Sequence, residues 1–81
     1  MRAYWIHYSA IENGAAPKFG VIESDAAGRQ NVLSPPGRLS SPDEVVRVLI
    51  SKGANPAEAS DRVGAAMRQG MAHLLVKDAD S

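Results

Sequence analysis

Cysteine is absent from this chain, so no disulfide cross-links it and no thiolate serves as a nucleophile or zinc ligand. Charge of one sign is lacking too. Nine Lys and Arg balance nine Asp and Glu, and the two signs are mixed in each third of the sequence. A nucleic-acid-binding domain ordinarily gathers its cations on one face, and no such gathering is visible. Apolar runs extend only a few residues, well below the roughly 20 that span a bilayer, so no membrane segment is expected. Histidine occurs twice, as His7 and His73, and neither stands in a ligand spacing with Asp or Glu. No metal and no other cofactor is therefore expected. No signal-type segment stands ahead of the first strand-like stretch, and the expected setting is cytoplasmic.

What is present speaks first of architecture. Ser41-Pro42-Asp43-Glu44 and Asn55-Pro56-Ala57-Glu58 repeat one device: a capping residue, proline in the first helical position and glutamate at the third. The cap oxygen accepts an amide hydrogen that the new helix cannot pair, and the glutamate is suited to reach back to the cap's own amide. Proline fits because its missing N–H would have gone unused. Helices are expected over about 42–52 and 56–75, with Gly53 ending the first. Val45, Val46, Val48, Leu49 and Ile50 cover more than half the circumference of the first helix, which is expected to be mostly buried. The second places Ala59, Val63, Ala66 and Met67 on one face. Beyond it the reading forks. Gly70 ends the helix and Met71 to Val76 form a fourth strand, or the seam Val63, Met67, Gly70, Met71 and Leu74 carries the helix onward. The helix-forming composition of residues 65–75 favours continuation.

The front of the chain alternates with period two. Tyr4, Ile6, Tyr8 and Ala10 fall on one face of a strand over about 2–11, and Trp5, His7, Ser9 and Ile11 on the other. Residues 12–17 form a loop, and a second strand runs over about 18–24. Asp25-Ala26-Ala27-Gly28 has the form of a type I turn followed by a left-handed glycine, a common hairpin connection, leading to a short strand over about 29–33. The two prolines of residues 34–41 remove donors, so this stretch is expected to be a connector, and residues 77–81 a frayed terminus. The fold class is thus α+β: one small domain with an antiparallel three-stranded β-meander followed by two helices, the last part being helix or fourth strand.

For chemistry the sequence offers little. The helix pair invites a helix-turn-helix reading, but a recognition helix presents cations or amides at its start, whereas this one opens with Asn55, Glu58 and Asp61, two of them acidic, and its arginines, Arg62 and Arg68, come later. In outline the pair is similar to small three-helix ubiquitin-binding modules. Residues 50–54 fall where those carry a methionine–glycine–aromatic contact; both the methionine and the aromatic are missing, so no function carries over. No serine has an elbow-like glycine frame, and no glycine cluster cradles phosphate. The carboxylates Asp43, Glu44, Glu58 and Asp25 are accounted for by caps and a turn, which leaves no catalytic residue to name. The expectation is a non-enzymatic protein acting through a protein–protein contact, of adaptor or inhibitor type, with itself as one possible partner. Tyr4, Trp5, His7, Tyr8 and Arg38 are the candidate surface. Single-stranded nucleic acid on the aromatic strand face is the alternative.

Overall fold

The computed structural model describes residues 1–9, 18–39 and 41–77, with residues 34–39 by their backbone alone. Strand β1 (Arg2–Ser9) pairs antiparallel with β2 (Lys18–Ser24), which pairs with β3 (Gln30–Leu39). Helices α1 (Pro42–Ser51) and α2 (Pro56–Gln69) follow, and β4 (Met71–Val76) returns to the far side of β1. The sheet order is β3-β2-β1-β4, an α+β fold of four antiparallel strands and two helices. The expected residues 10–17 of strand and loop, and the expected frayed residues 78–81, lie outside the described residues.

The hairpin between β2 and β3 closes as its sequence directs. Asp25 Oδ1 accepts from the amides of Ala27 and Arg29, each at 2.9 Å, and the Gly28 amide donates to the Asp25 carbonyl at 3.0 Å. Both helix caps form as well. Ser41 Oγ accepts from the Asp43 amide, and Asn55 Oδ1 accepts from the amides of Ala57 and Glu58. Helix α1 ends in a Schellman turn: Ala54 N–H donates to the Leu49 carbonyl at 3.1 Å and Gly53 N–H to the Ile50 carbonyl at 2.9 Å. The apolar contact that accompanies such turns joins Ala54 and Leu49 in the core.

Several expectations are corrected. The stretch 34–41 is not a connector through most of its length, because β3 runs to Leu39. Proline is tolerated there because β3 is an edge strand and the pairing is broken beside it. Val21 faces Ser34 and Phe19 faces Leu39, so two steps along β2 correspond to five along β3. Of the two readings of the segment after Gly70, the fourth strand is the one found, and the second helix does not continue to about residue 75. It stops at Gln69, where Gly70 takes φ 90 and its amide donates to the Ala66 carbonyl at 2.7 Å. A left-handed residue turns the chain back along β1, and the glycine accepts that conformation without a Cβ penalty. Finally, α1 is less buried than its composition implies. Val45 and Leu49 are fully covered, Val46 and Val48 half-covered, and Ile50 is exposed.

Both helices lie on one face of the sheet. Tyr4 and Ile6 of β1, Phe19 and Val21 of β2, and Ala72, Leu74 and Val76 of β4 meet Val45 and Leu49 of α1 and Ala59, Val63, Ala65 and Ala66 of α2. Alanine along α2 brings its backbone close to the sheet, which suits a domain with few large apolar residues. Met67, expected on the inner face, is exposed.

Candidate interaction surface

Successive residues of a strand point to opposite faces, so the inward set of β1 determines what its other face offers. Tyr4 is fully buried. Its hydroxyl donates to Glu23 Oε2 at 2.6 Å and accepts from Arg2 Nη1 at 2.8 Å. The Arg2 guanidinium also stands 5.8 Å from the centre of the Tyr4 ring. Burial, followed by the Glu23 carboxylate that takes its hydrogen bond, pushes the hydroxyl up to about 12. Tyr8 turns to the same side and packs on Phe19, ring centres 5.0 Å apart. These two tyrosines, both in the expected surface, belong to the core and its margin.

Trp5 and His7 point the other way, away from both helices. The strand register assembles a row across the whole sheet: Val32 on β3 opposite Ile22 on β2, Ile22 opposite Trp5, and Trp5 opposite His73 on β4. The Trp5 and His73 rings lie 5.1 Å apart, tilted by 33°. Leu75 and Met71 extend the face along β4, opposite Ala3 and His7. Among the described residues no helix covers this side, which leaves Val32 at 61 %, Leu75 at 52 % and Met71 at 45 % of full exposure. Among the described residues of this face there is no carboxylate, and Lys18, at the end of β2 opposite Ser9, is its cation. The side chain of Arg38, the remaining expected surface residue, lies outside the described residues.

Of the candidate residues named from the sequence, Trp5 and His7 lie on this face, which also holds Ile22, Val32, Met71, His73 and Leu75, none of them among those candidates. They come from three other strands, and only the register brings them beside Trp5. The alternation in Met71 to Val76 was the available signal, and it would have placed Met71, His73 and Leu75 together.

A second feature flanks the sheet on the helix side. A cleft of about 360 Å³ runs between α2 and β4, lined by Ala57, Glu58, Asp61, Arg62 and Leu74. The Arg62 guanidinium pairs with Asp61 at 2.8 Å and holds that carboxyl below the usual carboxylate range. Glu58 stands in the first turn of α2, where the helix dipole favours a negative charge. Among the described residues no group of three or more His, Asp or Glu is arranged to hold a metal ion, and no helix is long and apolar enough to cross a membrane. No protein-family model, curated protein or solved structure matches this chain.

Proposed function

We infer that the chain is a non-enzymatic binding protein that works through a protein–protein contact on the uncovered face of its sheet. The observation that carries this reading is the row Val32, Ile22, Trp5 and His73, an apolar and aromatic strip reaching across all four strands on the side that neither α1 nor α2 covers. Exposed apolar groups that adjoin one another, centred on a tryptophan, are the composition of an interface core. Trp5 itself is half-buried by its strand neighbours, which holds the ring in place and lowers the ordering cost of binding. The reading takes the setting to be cytoplasmic, in keeping with a cysteine-free chain, and the role to be that of an adaptor or inhibitor.

The same face gives a second reading its one specific observation. It lacks carboxylates among the described residues and has Lys18 at its end, a charge distribution that tolerates single-stranded nucleic acid stacking on Trp5. Its aliphatic content, Ile22, Val32 and Leu75, suits a protein better.

The test compares proteins retained from the host by the native chain and by Trp5→Ala, with circular dichroism showing that both are folded. Loss of a central interface tryptophan costs about 2 kcal/mol or more, so a specific partner should bind roughly 30-fold more weakly. Identical retention by the two chains removes the reading. Quenching of the single tryptophan by an oligonucleotide at low salt, reversed by added salt, would move the conclusion to nucleic acid.

A further inference from the structure

The two edges of the sheet are not alike. Edge strand β3 is broken by its irregular pairing and contains Pro35 and Pro36, both of which discourage a further strand from adding. Edge strand β4 has no such protection. Its sequence Met-Ala-His-Leu-Leu-Val holds no proline and no Lys, Arg, Asp or Glu, and its register with β1 is continuous from Met71 to Val76. Among the described residues nothing pairs with its outer side.

The hydrogen-bond phase of this edge follows from one contact. The Tyr8 amide donates to the Gly70 carbonyl at 3.0 Å, so Gly70 directs its carbonyl toward β1. In an antiparallel ladder the direction alternates. Ala72, Leu74 and Val76 therefore bond β1, and Met71, His73 and Leu75 present their N–H and C=O groups outward. We propose that this edge pairs with β4 of a second copy of the chain, antiparallel and centred on His73, joining the two sheets into one.

Two features single out a second copy as the occupant. Pairing His73 with His73, and Met71 with Leu75, satisfies every outward group of the strand, so the edge is complementary to itself about a two-fold axis. That axis also sets the α2 helices antiparallel beside one another, since α2 packs on β4 within each copy. The charges of α2 run from Glu58 and the Asp61–Arg62 pair in its first half to Arg68 in its last turn. Glu58 at the start of one helix then faces Arg68 at the end of the other, and the α2–β4 cleft lies along the junction. The inference rests on the protein-contact reading in naming a partner but places the contact on the backbone edge of β4 instead of the face around Trp5, so either can be overturned while the other stands.

Sedimentation equilibrium on the full chain tests it. The expected result is a species of twice 8.6 kDa at micromolar concentration. His73→Pro deletes one outward amide and spares the bonds to β1; it should weaken the dimer at least ~30-fold, while His73→Ala, which keeps the amide and loses the ring, stays within ~3-fold of the native chain. Glu58→Arg and Arg68→Glu should each weaken it about 5-fold, and the two together should restore it. Monomer at all concentrations to ~1 mM overturns the proposal. So does a dimer unchanged in His73→Pro and in both charge variants. If His73→Pro does not fold, the charge exchange decides. A dimer insensitive to these changes but dissolved by Trp5→Ala would mean that copies meet through the uncovered face, which overturns the edge pairing and leaves the protein-contact reading standing.

Discussion

Tyr4 shows how one residue converts a sequence pattern into a fixed orientation of the sheet. Both faces of β1 contain aromatic residues, so period two alone does not say which face is inward. The Tyr4 hydroxyl helps settle it, because a buried phenol needs a partner and Glu23, its direct neighbour on β2, supplies one at 2.6 Å. Removing the hydroxyl by Tyr4→Phe leaves the half-buried Glu23 short of a donor and should cost about 1–2 kcal/mol in urea unfolding. The pH dependence has a definite sign. An unfolded tyrosine loses its proton near 10, whereas in the folded chain burial and the Glu23 bond hold the hydroxyl up to about 12. The folded state therefore favours the neutral phenol. Its contribution is complete below about 10 and is lost as the pH rises from there toward about 12. Urea midpoints measured across that window should fall for the native chain and fall less for Tyr4→Phe. Equal slopes would show that the ionisation of Tyr4 is not linked to folding.

Among the elements, those with local chemical signals were legible in advance. The caps at Ser41 and Asn55 form where the residue types indicated, as does the Asp25 turn, because each depends on groups within four residues of one another. The two caps are not equal. Asn55 Oδ1 accepts from two amides, at 2.9 and 3.3 Å, whereas Ser41 Oγ accepts from one at 3.2 Å. Asn55→Ala should therefore destabilise by about 1–2 kcal/mol and Ser41→Ala by no more than about 1 kcal/mol, read by chemical denaturation. The reverse order would show that the terminus of α1 depends more on its cap than the hydrogen bonds imply. Elements whose form depends on distant partners are only partly legible, and the sequence leaves Met71 to Val76 open between helix and fourth strand. Residues 34–39 have a proline-rich sequence unsuited to a central strand, and they are extended because Phe19 and Val21 offer a ladder at the sheet's edge. Residues 71–76 contain good helix formers, and they are a strand because Gly70 reverses the chain into the empty flank of β1. The uncovered surface was half legible for the same reason. Trp5 and His7 share a strand, but Ile22, Val32 and His73 reach Trp5 only through the register.

At the scale of the whole fold, the decisive fact is that two helices cover one face of four strands and, among the described residues, leave two surfaces incompletely satisfied: the face around Trp5 and the edge of β4. A chain of this size has little surplus stability, so apolar groups held outward are a cost that an association would offset. The two surfaces meet along β4, since Met71, His73 and Leu75 contribute their side chains to the face and their backbone to the edge. Hydrogen exchange should resolve that dual role residue by residue. At high dilution the amides of Ala72, Leu74 and Val76 should be protected by β1, and those of Met71, His73 and Leu75 should exchange at least ~100-fold faster. Raising the protein concentration should slow the odd-numbered set alone if the edge pairs with a second copy. Uniform protection along β4 at every dilution would mean that its outer side is already occupied within a single chain, and uniform rapid exchange would mean that β4 does not hold to β1. The alternation is the signature of a strand bonded on one side only, and it follows from the sheet order and the single Tyr8–Gly70 hydrogen bond that fixes the phase.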